Sequence, residues 1–137
     1  MKNKSKKFSS QKSKWMFLLT FELFLFCLFF VGCRKEGPSG KAVIEGMVIH
    51  HAKPIPGSVV YIKYGAKESP GSDVTYYDES VTANDSANYK FADLRKGDYY
   101  LFAVGYDSAG PYIVTGGIPV EIKKKTETAQ ADVQVVE

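Results

Sequence analysis

The chain has 137 residues, with 18 Lys and Arg against 15 Asp and Glu and a formal net charge of +3. Six of those bases and one acid precede Cys33, so the part from Cys33 onward holds 12 bases and 14 acids, a net of −2. Such a mildly acidic remainder has no electrostatic footprint for nucleic acid, and with Cys27 and Cys33 as its two cysteines the chain has no framework of disulfides or thiolate metal ligands.

The first element is a leader. Lys2, Lys4, Lys6, Lys7, Lys12 and Lys14 are followed by an apolar run from Trp15 to Val31 and by small Gly32, the order of a basic region, a hydrophobic region and a cleavage site. The tetrapeptide Phe30-Val31-Gly32-Cys33 resembles the lipobox of bacterial lipoproteins. That resemblance implies that the Cys33 thiol receives a diacylglyceryl group, that the bond before it is cut, and that the new amino terminus is acylated. A thiolate is the nucleophile such a transfer needs, and two or more acyl chains anchor stably where one holds reversibly. The competing expectation is a single-pass signal anchor, since about 20 apolar residues span a bilayer. Glu22 opposes it, because an acid at mid-helix costs about 2.5 to 3.5 kcal/mol on insertion scales. Either way the remainder is exported.

Residues 33–40 are expected to be the lipidated cysteine and a flexible tether, since Arg34 to Gly40 offers nothing apolar to bury. Residues 41–137 are expected to form one domain. Its apolar runs are short, rich in β-formers and separated by turn signals, with no helical period, which predicts strands near 41–50, 57–64, 73–82, 87–92, 98–106, 112–114, 118–124 and 129–136. Pro54 and Pro56 mark a crossing between strands. The stretches 84–88, 95–98 and 107–111 are turns, by their Asn, Asp and Gly residues. Gly116-Gly117 reads as a turn or bulge. The fold class is therefore all-β, a sandwich of about seven strands behind a helical signal segment.

Several pieces together carry a second resemblance: Ile44-x-Gly46-x-Val48, Pro54-Ile55-Pro56-Gly57-Ser58-x-Val60, Tyr89-x-Phe91-x-x-Leu94, Gly97-Asp98-Tyr99-x-Leu101 and Gly105-Tyr106. Their order is similar to that of the carboxypeptidase regulatory-like domain, a transthyretin-type (prealbumin-like, immunoglobulin-like) β-sandwich frequent in envelope proteins of Bacteroidetes. Ala87 stands where that family usually has glycine, and the stretch from Gly65 to Tyr76 looks like an insertion. The resemblance implies a non-catalytic accessory module of the cell envelope, at the outer membrane, whose partner is another envelope component.

Period-two alternation assigns the faces. Ile44, Gly46, Val48, Ser58, Val60, Ile62, Tyr89, Phe91, Tyr99, Leu101, Ala103, Val133 and Val135 point into the core. The same alternation leaves Tyr100, Phe102, Val104 and Tyr106 on the second face of one strand, beside Tyr61 on another. A strand apolar on both faces needs cover. Either the insertion folds over that stripe, or the five residues are an interaction face for an envelope protein or a glycan.

His50-His51 is the single histidine pair, and neighbours on an extended strand diverge to opposite faces, so the pair is expected at an exposed strand end without a metal. No serine elbow, phosphate-binding glycine loop or catalytic carboxylate pair is present, and no cofactor is expected. The function expected is a non-enzymatic binding module anchored through Cys33. The alternatives are an adhesin or fimbria-like subunit and a small-ligand carrier of transthyretin type.

Overall fold

The computed structural model describes residues 35–137. The leader and Cys33, with the lipobox reading that rests on them, lie outside the described residues. The domain is an all-β sandwich of two sheets. One is built on β1 (Pro38–His50), flanked by β2 (Lys53–Pro54) and β5 (Asn88–Leu94) and, in parallel, by the short β8 (Thr128–Gln130) and β9 (Val133–Gln134). The other has the order β4 (Glu79–Thr82), β3 (Val59–Tyr64), β6 (Gly97–Asp107) and β7 (Tyr112–Ile122), all antiparallel.

The core sits where alternation puts it. Ile44, Val48, Val60, Ile62, Tyr99, Leu101, Ala103 and Val133 are fully buried, and Tyr89, Phe91 and Val135 nearly so. Each large apolar side chain in this layer contributes about 1.5 to 3 kcal/mol relative to exposure, and the domain has no disulfide to supplement it.

Four elements differ from the sequence expectation. First, β1 begins at Pro38 rather than 41, because the end of the expected tether is docked: Gly37 is buried, its amide donates to the Tyr99 hydroxyl at 3.1 Å, and its carbonyl accepts from Arg95 N–H at 2.9 Å. Second, the stretch expected as one strand over 73–82 opens instead with a 3₁₀ turn, Val74–Tyr76, which Asp73 caps by accepting from the Thr75 amide at 2.9 Å.

Third, β7 is one strand through Gly116-Gly117, in unbroken register with β6 from Gly97↔Ile122 to Asp107↔Tyr112. The glycine at 116 serves a crossing rather than a turn, since a Cβ there would lie 2.0 Å from the Gln134 carbonyl oxygen, where the last segment passes over β7 and Val136 bridges Thr115. Fourth, the expected strand over 129–136 breaks into β8 and β9, because the Asp132 carboxylate rather than a carbonyl accepts the Met47 amide, at 2.9 Å.

The expected turns over 84–88 and 107–111 form, while the one over 95–98 shrinks to Arg95-Lys96 because Gly97 and Asp98 already pair with β7. Asn84 Oδ1 accepts from the amides of Ser86 and Asn88 at 2.9 and 3.0 Å, and Ala87 adopts a φ of 61°, the left-handed conformation that favours glycine. At the turn after β7, Glu127 Oε2 accepts from the amides of Lys123 and Lys124 at 2.7 and 2.9 Å. Those bonds, the Lys124 one first, hold the Glu127 carboxyl below its usual range. A carboxyl lowered in the folded state contributes stability that is complete above its unfolded value of about 4.3 and is lost as pH falls through the lowered native value. Melting temperature is therefore expected to drop on acidification below that value, and Glu127→Gln to flatten the drop while lowering the melting temperature at pH 7.

Candidate functional site

The outer face of the β4-β3-β6-β7 sheet carries the aromatic stripe, and register fixes its neighbours. Tyr100 lies opposite Lys63 and Pro119, Phe102 opposite Tyr61 and Gly117, Val104 opposite Val59 and Thr115, and Tyr106 opposite Ile113. The stripe divides into a covered and an open part. Tyr77, returning from the insertion, stacks on Phe102 with ring centroids 5.6 Å apart and planes 19° apart, and sits 6.0 Å from the Tyr61 ring. Its hydroxyl donates to the Gly71 carbonyl at 2.9 Å, which ties the insertion to itself. Phe102 is 7% exposed in consequence. Its inclusion in an interaction face is thereby corrected, because it is core under an aromatic lid. Tyr61, Tyr100 and Val104 are half-buried, and Tyr100 rests against Gly117, where a Cβ would meet its ring at 2.7 Å.

The open part lies at the other end of the stripe. Tyr106, Ile113 and Val136 are 56%, 61% and 62% exposed. Directly opposed residues on one sheet face have Cβ atoms about 4.5 to 5.5 Å apart, so Tyr106 meets Ile113, and the row Val104, Thr115, Val136 lies beside them. Ile113 and Val136 escape a reading from β6 alone, since they join the stripe only once β7 and the final segment are placed.

A second cluster forms where β1 and β6 end. Both strands carry their inward parity to the last residue, so His50 and Asp107 meet inside the sandwich edge, with His50 Nδ1 2.8 Å from Asp107 Oδ2. The hydrogen bond from His50, and after it the Ala109 amide, holds the Asp107 carboxyl below its usual range. The expectation for the histidines is corrected here: His50 is buried, and His51 has a φ of 47°, so the chain turns left-handed and brings the two rings to a centroid distance of 4.2 Å. Divergence holds for extended backbone, and His51 is not extended. Tyr112 packs edge-on against His50 at 6.0 Å. Burial, and then a hydrogen bond with Glu137, raises the Tyr112 hydroxyl above its usual value.

Surface concavities lie apart from both clusters. An open groove is lined by Glu45, Met47, Val81, Asn84, Tyr89 and Asp132 among others, a mixed polar and apolar lining. A second one gathers Lys35, Lys41, Arg95, Lys96 and Lys125 around the point where the chain enters the domain. Among the described residues no helix is long and apolar enough to cross a membrane.

No family profile matches the chain, and no curated protein matches it. Solved structures do. The major pilin subunit of Bacillus cereus is similar over 72% of this chain at 14% identity and a TM-score of 0.50, and the chain spans 30% of that subunit. A proposed carbohydrate-binding protein from Pseudomonas aeruginosa is similar at 11% identity and a TM-score of 0.49, over 72% of this chain and 90% of that one. A DUF3823 family protein from Parabacteroides merdae is similar at 12% identity and a TM-score of 0.44, over 72% and 47%. At such identities the pilin likeness speaks to fold, and it agrees with the two-sheet sandwich described above.

Proposed function

We propose that this chain is a non-enzymatic interaction module of the bacterial envelope, held there by a lipidated Cys33, and that it docks a partner protein through the open end of its outer sheet face. The observation that carries the docking reading is the adjacency of Tyr106, Ile113 and Val136, three large apolar side chains each more than half exposed on one strip of sheet. Scattered apolar residues are ordinary on a surface, whereas a contiguous set that includes an aromatic anchor fits a contact site.

Anchoring rests on the leader sequence and on the Phe30-Val31-Gly32-Cys33 match. The basic pole at the chain's entry into the domain supports it, because Lys and Arg close to an anionic lipid surface add about 1 kcal/mol each. The carboxypeptidase regulatory-like reading draws support from the quoted motifs, which fall on β1, on β2 and the approach to β3, on β5 and on β6, and supply core residues of both sheets.

The test is pull-down from solubilised envelopes with the full-length lipidated chain and its Tyr106→Asp/Ile113→Asp variant. Both positions are exposed, so the melting temperature is expected to stay within about 2 °C, since surface substitutions cost little, while partner recovery falls at least tenfold. Equal recovery by both chains sinks the docking reading, and retention that soluble glycan abolishes would turn it toward sugar. Intact mass decides anchoring separately: the purified chain is expected to begin at Cys33 with added acyl groups.

A second reading, a subunit of a surface fibre, is favoured by one feature. Among the described residues β5 pairs with β1 alone, leaving an edge able to accept a donor strand. Polymers resistant to dissociation in envelope extracts are the sign it requires.

A further inference from the structure

The buried ring of His50 has one nitrogen accounted for and one not. Its side chain is 2% exposed, Nδ1 faces the Asp107 carboxylate at 2.8 Å, and Nε2 is buried with no hydrogen-bond partner. A carboxylate can only accept, so Nδ1 is the nitrogen that holds Asp107, and Nε2 is the one left to take a ligand. Glu137 Oε1 lies 3.9 Å from that nitrogen. The imidazole nitrogen and the carboxylate oxygen thus face each other at a separation that one cation can bridge. His51, brought round by its left-handed backbone, supplies a third donor atom: one ligand atom from each of His50, His51 and Glu137 lies within 4.8 Å of the others.

We infer that His50 Nε2, His51 and Glu137 form a binding site for a divalent transition cation of the Zn²⁺ class, with Asp107 orienting His50 as a ligand. Two imidazoles and one carboxylate are the donor set of a borderline cation, whereas Mg²⁺ and Ca²⁺ take oxygen ligands. The Asp107 contact is the carboxylate–histidine–metal arrangement, which fixes the tautomer and the ring plane of the ligand.

Zinc bonds of about 2.0 to 2.1 Å in a tetrahedron place ligand atoms about 3.3 Å apart. The closure needed, about 1.5 Å at most, falls on exposed His51 and on exposed Glu137, which re-aims from its hydrogen bond with the Tyr112 hydroxyl, while buried His50 stays in place. Three protein ligands leave one position for water or an incoming group. Bound metal would also fasten the turn after β1 to the final residues of the described chain, so it stabilises the fold by mass action. This site is independent of the Tyr106 docking strip and stands or falls without it.

The experiment is calorimetric titration of the untagged full-length chain in detergent with Zn²⁺, with Mg²⁺ as control and Co²⁺ as a spectroscopic probe. The expected result is one Zn²⁺ per chain, a raised melting temperature, intense tetrahedral Co²⁺ bands and no saturable Mg²⁺ uptake. His51→Ala and Glu137→Gln, both at exposed positions, are each expected to weaken Zn²⁺ at least tenfold without altering the metal-free melting temperature. Asp107→Asn is expected to weaken it about 10- to 100-fold. Absence of saturable Zn²⁺ uptake overturns the inference, and so does binding that survives His51→Ala and Glu137→Gln unchanged, since that metal would lie elsewhere.

Discussion

Gly46→Ala is expected to cost about 3 kcal/mol or more, from a single methyl group added to the middle of β1. The Cβ would lie 1.9 Å from the Ala131 carbonyl oxygen and 2.5 Å from its carbon, so the obstacle is backbone and not a side chain that can swing away. To restore ordinary contact, the Ala131–Asp132 segment must retreat from β1. It is held there by Ala131 N–H donating to the Glu45 carbonyl at 2.9 Å, by Asp132 Oδ1 accepting from Met47 N–H at 2.9 Å, and by the Tyr89 hydroxyl on the Ala131 carbonyl. Overpacking alone costs about 1 to 3 kcal/mol, and each hydrogen bond strained or lost adds about 1 kcal/mol.

In a domain of this size, roughly 3 kcal/mol corresponds to a fall in melting temperature of about 12 to 24 °C. Urea denaturation gives the check, with the midpoint lowered and the slope unchanged. Gly57→Ala is the control, for Gly57 has a positive φ, 69°, which Gly46 in its extended strand does not, and nothing lies within 4 Å of its would-be Cβ. It is expected to cost about 1 kcal/mol, the left-handed backbone term alone. Equal effects at the two positions would show that close crossing of the last segment is not what Gly46 serves.

Alternation along β1, β3, β5 and β6 placed the centre of the core, because each of these strands buries one face and a one-residue slip would expose it, whereas Val114 and Ile122 of β7 lay outside that reading. The same parity that buries Ile44, Gly46 and Val48 also buries His50, and the parity of Tyr99, Leu101 and Ala103 reaches Asp107. Their meeting was therefore half legible in the sequence. What hid the cluster was His51, whose left-handed backbone lacks the glycine that most often announces that conformation. Gly116-Gly117 misled for a related reason. Glycine marks both a turn and a close crossing, and the choice between them depends on where Gln134 lies, 18 residues further along. The open strip at Tyr106 was legible on β6, whereas its β7 and carboxy-terminal members depend on pairings distant in sequence.

Phe102→Glu separates core from contact surface within the aromatic stripe and is expected to cost about 4 kcal/mol or more. It removes about 2 to 3 kcal/mol of apolar burial and places a carboxylate between Tyr77 and Tyr61, in a site 7% exposed. The nearest cation by register, Lys63 beside Tyr100, already pairs with Asp78 at 3.2 Å. Phe102→Gln, which lacks the charge, is expected to lose less, and the difference between the two measures the desolvation of the carboxylate. Tyr77→Ala should cost about 1 to 2 kcal/mol, the stacking and part of the burial of Phe102. Thermal melts of the three variants beside Tyr106→Asp check the division: the first three are expected to shift and the fourth to stay. A Phe102→Glu chain that melts with the parent would mean that Tyr77 does not cover the stripe in solution. The docking face would then extend from Tyr106 back to Tyr100, and the insertion would have to be assigned some other task than shielding it.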